Sequence, residues 1–443
     1  MAKVSMDRRD KITLALMVMM SVFFFADQRI MSAVLKEISL EYGVGNAVLG
    51  NIGSAFTLIG AVIGIIFGYF TDKVSRKNLL VLTVLVGEIP CFLTGFKIFT
   101  PTIEAFTVLR ILTGIGIGGI FPITFSLVAD YFHEEHRASA SAWIGVAWAI
   151  GMIAGPMTAG FLTGTYGWRF PFAVVAVPGF VTAIFFAIYA RDPQRGRTEA
   201  ALEDLIQKGV VYKQKIKISD FRYIFSNKTN IWLFLQGIPG TVPWGILGYW
   251  MIDFWERARG VEKETASIIF LVLGAGATVG ALLFAYIGEH LYNKKPKYLP
   301  ILCGTFVILG VAPSFALLNL PLDPTSKSSI AVYCTLAFFT GLLVSVASGN
   351  VKAIIMNVNR PEHRGSVFAV FNITDNIGQG FGPAIGGYLL AYGYVFMMNF
   401  ALPFWLLCGL LFFFVAKHIT KDRDELLLYL DEKAHEMKQG KQE

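Results

Sequence analysis

Charge is scarce in this chain. Of its 443 residues only 16% are Asp, Glu, Lys or Arg, against about a quarter in an average soluble domain, while 55% are hydrophobic. A soluble globular protein is therefore excluded as the default. Cysteine and histidine are sparse too. The four cysteines, Cys91, Cys303, Cys334 and Cys408, all fall inside apolar runs, so they read as packing groups and give no support to a disulfide framework or a zinc cluster. The six histidines lie at or beyond the ends of those runs, which leaves no histidine-ligated metal site and no histidine relay within them. A phosphate-cradling G-x-x-x-x-G-K-[ST] loop is missing, and no apolar run holds a G-x-S-x-G elbow. ATP-driven work and embedded enzyme chemistry are disfavoured, and we expect no cofactor and no resident metal.

What the chain does have is apolar length. A helix crossing a bilayer uses about 20 apolar residues. Runs of that length with few charges occur at 12–36, 46–70, 78–98, 102–131, 138–165 and 169–190, and again at 230–256, 264–291, 297–319, 328–356, 365–391 and 395–417. The expected architecture is an all-α polytopic membrane protein of 12 transmembrane helices in two pseudo-symmetric six-helix halves. An N-terminal bundle (1–190) and a C-terminal bundle (230–417) flank a Lys/Arg-rich linker (191–229), with a charged tail (418–443) that reads as a surface helix or a disordered segment. The first run is too long for a cleaved signal peptide and carries Asp27 and Arg29, so it stays as a span.

An even number of spans puts both termini on one side. With the N-terminus inside, inner loops and tails collect 28 Lys/Arg and outer loops seven, which places both termini in the cytoplasm by the positive-inside rule. The net charge of +7 then belongs to membrane orientation, and nucleic-acid binding has no place in the account. The plasma membrane, or the inner membrane of a bacterium, is the expected location.

The chain repeats internally. A shift of 227 residues superposes Glu135-His136-Arg137 on Glu362-His363-Arg364, Ile150-Gly151 on Ile377-Gly378 and Gly155-Pro156 on Gly382-Pro383. Thr113-Gly114 and Thr340-Gly341 match at the same shift. Apolar composition yields chance Leu and Ile matches, but not matched charged turns and Gly-Pro steps. Two parallel six-span repeats form the architecture in which a small-molecule substrate sits between rocking halves near the bilayer midplane.

The turn after the second span reads Gly68-Tyr69-Phe70-Thr71-Asp72-Lys73-Val74-Ser75-Arg76-Lys77. It resembles the signature loop of the major facilitator superfamily, G-x-x-x-D-[RK]-x-x-R-[RK], with Ser75 where a glycine is usual, and the resemblance extends over the whole chain. The fourth span, from Arg110 through Thr113-Gly114-Ile115-Gly116-Ile117-Gly118-Gly119, resembles that family's R-x-x-x-G stretch. The fifth span (Gly151, Gly155, Pro156) and the eleventh (Gly378, Gly382, Pro383) carry glycines at i and i+4 followed by proline, a smooth-faced helix suited to sliding or to plain close packing. The resemblance implies gating roles for Gly68, Asp72, Lys73, Arg76, Lys77, Arg137, Arg364 and these Gly-Pro steps. The stretch from Asp27 to Leu35 is similar to the first-span signature of spinster-like transporters, with Gln28 inserted. That likeness implies a lysolipid or sphingoid substrate.

Ionisable residues inside spans are costly and point to function. Asp27 and Arg29 project some 200° apart on a helix at about 100° per residue, so they cannot face one neighbour. We expect Asp27 to pair alternately with a cation and with a proton, and Arg110 to face a wetted cavity. Glu88, mid third span before Pro90, is a second proton-carrier candidate with no named partner. Asp375, with Asn372 and Asn376 nearby, is expected to form a wall of the site and to pair with Lys352, itself able to snorkel to the inner interface. Asp253, at the outer end of the seventh span, is expected to be solvated. In that span Gln236, Gly237, Pro239, Gly240, Pro243 and Trp244 mark a gate, a substrate contact or a simple kink.

Taken together, these residues describe a monomeric secondary active transporter of a small organic solute, anionic because Arg29 and Arg110 outnumber Asp27, and coupled to protons. A spinster-like lipid carrier and a non-transporting receptor of the same fold are the alternatives.

Overall fold

Inside a bilayer each backbone N–H and C=O needs an internal partner, so apolar runs of this length have one economical solution, the α-helix. The computed structural model follows it. It describes residues 8–71, 73–131, 134–191, 224–323, 326–360 and 363–438, and among them there are helices, turns and no strand. The main helices are α1 (Arg8–Ile30), α2 (Leu35–Tyr42), α3 (Asn46–Phe70), α4 (Arg76–Thr94), α5 (Ile103–Tyr131), α6 (Glu134–Tyr166) and α7 (Phe170–Tyr189). After the linker come α8 (Lys228–Arg259), α9 (Lys263–Lys294), α10 (Tyr298–Asn319), α11 (Lys327–Val344), α12 (Ala347–Val358), α13 (Arg364–Leu389) and α14 (Tyr394–Lys438). The linker's residues 192–223 lie outside the described residues.

Each of the twelve apolar runs is helical, and 10 of the resulting spans are apolar enough to cross a membrane on length and composition. The other two are α8 and α13. Both exceed 25 residues, but α8 carries Gln236 and two prolines, and α13 carries Asn372, Asp375, Asn376 and Gln379. Polar residues in spans are where function concentrates. The tenth span is two helices rather than one: at the break Ser345 donates back to the Leu342 carbonyl (3.3 Å), a local competitor of helix bonding. The helix of the last span does not stop at 417: α14 continues as one 45-residue helix into the charged tail.

The described residues cluster into two compact units. The first gathers those of Met1–Lys213, Tyr249–Ile268 and Pro383–Ala391; the second those of Gln214–Gly248, Ile269–Gly382 and Tyr392–Glu443. In the first, α1 packs on α6 and α7, and α5 on α3 and α4. In the second, α10 packs on α11 and α14. The repeated glycines seat the same kind of contact in each unit. A Cβ at Gly151 would overlap the Val22 carbonyl of α1, and one at its repeat mate Gly378 the Ile238 carbonyl of α8. Glycine here serves backbone-to-backbone approach, the currency of helix association where no hydrophobic effect separates helix from lipid.

The signature turn is a structural clasp. Ser75, standing where a glycine was usual, caps α4 by accepting from Asn78 N (3.2 Å). Arg76 is buried and donates to the carbonyls of Thr71 (3.4 Å) and Ser126 (3.2 Å), tying the ends of α3 and α5 together. Lys73 lies over the Tyr69 ring at 5.4 Å, and Lys77 is half-buried. On the rim of this unit Arg169 clamps Glu41 (2.5 Å), Tyr42 (3.0 Å) and Thr100 (3.1 Å) and lies 4.1 Å over Trp168. The hydrogen bond from Arg169, aided by Trp168 and the nearby charges, holds the Glu41 carboxyl below the ordinary glutamate range. In the second unit Asp422 of α14 accepts from Thr229 N (2.8 Å) at the start of α8, a carboxylate on a helix N-terminus.

Candidate transport site

Three helices of the first unit bring charge together in a dry place. Asp27 comes from α1, one step beyond Ala26, where the glycine face of α6 presses in. Arg110 comes from α5, and its Nη1 donates to Asp27 Oδ1 at 2.9 Å. Arg110 Nη2 reaches Thr94 Oγ1 (3.3 Å) and Thr113 Oγ1 (3.2 Å), and its guanidinium lies 4.7 Å from the centroid of the Phe172 ring. The pair is 1% and 0% exposed. A buried pair of this kind is held by the hydrogen bonds it makes, and removing one partner strands the other.

Glu88 of α4 completes the group. One carboxylate oxygen of Asp27, one of Glu88 and the Cys91 sulfur lie within 4.8 Å of one another. Glu88 is fully buried, and neither of its oxygens has a hydrogen-bond partner. Asp27 Oδ2 and Arg110 Nε are also unpartnered. Glu88, for which the sequence named no partner, thus has Asp27 and Arg110 as charged neighbours through the pairing of α1, α4 and α5. Cys91, read from sequence as packing, sits in this group and donates to the Phe172 carbonyl (3.4 Å). Its apolar neighbours in sequence hid that.

Arg29 takes a different direction from Asp27, as the helical offset requires. It is 8% exposed, its Nε contacts the Met152 sulfur (3.4 Å), and Tyr249 is close enough to interact with its charge. Tyr249 itself donates to the Leu49 carbonyl at 2.7 Å. Among the described residues no carboxylate pairs with Arg29.

Among its described residues the second unit has no such ionic group. Gln236 is buried, donating to the Leu233 carbonyl (3.0 Å) and accepting from the Cys408 thiol (3.3 Å). Trp244 is half-buried and packs edge-on against Trp405 at 5.8 Å. Asp375 lies alongside Gly237 and Thr374. It feels the charge of Lys352, but no ion pair joins them, because Lys352 is exposed as its capacity to snorkel allows. Asn372 is exposed, and its carbonyl accepts from Asn376 (2.8 Å). Asp253 is not solvated: it is 2% exposed and paired with Arg257 one turn on at 2.9 Å. Asp72 lies outside the described residues, as do the side chains of Arg137 and Arg364.

Twelve helical runs, an internal repeat and buried intramembrane charges define a polytopic transporter. The model for the Major Facilitator Superfamily matches residues 17–325 and 299–428, and the chain belongs to that family. It is 25% identical over 374 residues to the cis,cis-muconate transport protein of Acinetobacter baylyi, covering 83% of this chain and 84% of that protein. It is 26% identical over 400 residues to the gentisate transporter of Corynebacterium glutamicum, covering 86% and 81%. In structure it is similar to a bacterial homologue of the human lysosomal transporter Spinster, solved in an inward-facing and unoccupied conformation, with a TM-score of 0.79 and 19% identity over 95% of this chain and 99% of that one. That likeness concerns the fold.

Proposed function

We propose that this transporter is a proton-coupled secondary active carrier of a small organic anion, working by alternating access in the plasma membrane with both termini cytoplasmic. One observation carries the reading. Of the two arginines buried within the first and fourth spans, Arg110 is neutralised by Asp27, whereas Arg29 has no carboxylate partner among the described residues. A guanidinium withdrawn from water without an anion is costly, and a substrate carboxylate would compensate it with a bidentate bond. Relatives that carry muconate and gentisate, both carboxylates, point the same way.

Asp27 supplies the coupling. Its carboxylate accepts from Arg110 in a buried place, and the coupling step proposed is the exchange of that cation for a proton during the cycle. Proteoliposome uptake of gentisate and muconate under an imposed pH gradient tests this. Asp27→Asn is expected to cost gradient-driven accumulation about tenfold more than it costs substrate exchange. An unchanged proton dependence in that variant overturns the coupling role, and uptake confined to cationic solutes overturns the anion. A phosphate headgroup would satisfy Arg29 as well as a carboxylate does, so lysophospholipid flux in the same vesicles tests the spinster-like reading.

A further inference from the structure

We propose that Glu88 and Asp27 share one buried proton beside Arg110, and that this carboxyl pair is the coupling-ion site of the carrier. This rests on the proton-coupled reading above and assigns that coupling to two residues rather than to Asp27 alone.

The argument starts from charge. Asp27, Glu88 and Arg110 are each at most 1% exposed. With both carboxyls ionised the group would carry one net negative charge, sealed from water, with the Glu88 oxygens accepting nothing. A buried charge without hydrogen bonds costs several kcal/mol, and such a group neutralises instead. One proton brings the trio to zero. It also serves two orphans, because a protonated Glu88 has an O–H to donate and Asp27 has an unpartnered acceptor in Oδ2, one oxygen of each carboxyl lying within 4.8 Å of the other. When Arg110 leaves Asp27, the proton changes sides: the O–H bond of Glu88 breaks, an O–H bond forms on Asp27, and Glu88 is left as the carboxylate, so atoms and charge are conserved.

Every element packed around Glu88 is consistent with a single exchangeable charge. On α4 itself the neighbouring titratable group is Cys91. From α1 comes Asp27, from α5 Arg110, and α7 contributes no acidic or basic residue at all. Instead α7 offers Gly179, where a Cβ would overlap Glu88 Oε1, so the space for the carboxyl depends on that glycine. A metal ion is disfavoured as the occupant. Two carboxylates and a thiol could supply ligands, but a guanidinium 2.9 Å from Asp27 already places a positive charge there.

Infrared difference spectroscopy of the full-length protein in lipid vesicles tests this directly. At neutral pH the wild type is expected to show the carbonyl stretch of a protonated carboxylic acid; Glu88→Gln removes it, and Glu88→Asp moves it. A wild type without that band, or a Glu88→Gln protein that keeps it unchanged, overturns the proposal. In transport, Glu88→Gln is expected to lower gradient-driven accumulation of gentisate about tenfold more than exchange. Equal accumulation by variant and wild type overturns it as well. Gly179→Ala leaves every charge in place but crowds the carboxyl, and is expected to shift the band and weaken accumulation; a band left unmoved counts against the site. A stabilisation specific to sodium chloride over choline chloride, lost in Glu88→Gln, would replace the proton by a metal cation. Should the wild type fail to accumulate any carboxylate, the functional reading falls while the infrared band still decides this one.

Discussion

The third and ninth spans use one frame for opposite contents. In α4 the frame is Gly87-Glu88-Ile89-Pro90-Cys91-Phe92; in α10 it is Gly310-Val311-Ala312-Pro313-Ser314-Phe315. Each glycine packs on the neighbouring helix at repeat-related positions, Gly87 on Gly116 of α5 and Gly310 on Leu343 of α11. On those partner helices Arg110 stands where the second unit has a fully buried Ala337. Thr113 meets Arg110 Nη2 at 3.2 Å, while its twin Thr340 meets Ser314 at 3.5 Å. Nor does α8 carry any acidic residue before Asp253. The same helical scaffold therefore forms with valine, serine and alanine in place of glutamate, cysteine and arginine. Charge in the first unit is not needed to build the repeat, and buried ion pairs are seldom net stabilising. It is kept for another reason.

The largest expected effect comes from breaking the charged group unevenly. Arg110→Ala strands Asp27 and Glu88 in a dry interior and should lower stability by about 3–5 kcal/mol, read as a fall in Tm in lipid nanodiscs. Making the unit like its twin sharpens the comparison. Arg110→Ala combined with Glu88→Val and Asp27→Ala should recover most of that Tm while leaving no gradient-driven transport. If the triple variant is no more stable than the single one, the charges do matter to the scaffold. Next come the glycine seats shared by both units. Gly151→Ala and Gly378→Ala each push a methyl into a backbone carbonyl and should each cost about 1–3 kcal/mol by the same measurement. A marked inequality between them would show that the two units do not rely equally on close approach.

Smaller effects probe Arg29 and the rim. Arg29→Gln should raise the KM for gentisate about tenfold or more while Tm holds or rises, since an uncompensated buried cation is removed. On the rim, Glu41 has its carboxyl pKa depressed in the folded state, so its contribution is present above the ordinary glutamate range and is lost as pH falls through the lower, folded value. Arg169→Ala should flatten the fall of Tm with acid, a shift readable by thermal unfolding between neutral and acidic pH. The mildest change is Asp422→Ala, which removes one carboxylate from the start of α8 at a cost of about 1 kcal/mol.

The family and its all-helical fold were legible in the sequence because hydrophobic length and motif spacing are local properties. The 227-residue repeat announced the twin roles of Gly151 and Gly378, and the helical offset of Asp27 and Arg29 announced that they would part. Asp253 misled, because its place near a span end suggested water while its partner Arg257 sits one turn along the same helix. Asp375 and Lys352 were matched by charge alone, although exposure of the lysine left no ion pair. Cys91 carried no signal at all, since one thiol among apolar residues reads as packing whatever stands across from it.

Sequence by itself determined what each segment must do in lipid: an unbroken apolar run has to satisfy its own backbone, and that requirement depends on nothing beyond the run. Which ionisable groups meet is another matter. Asp27, Glu88 and Arg110 are separated by 61 and 22 positions along the chain, and only the crossing of α1, α4 and α5 decides that two carboxyls and one guanidinium share a place without water. Electrostatic energy there follows distance and dielectric, and both are properties of the packed helices.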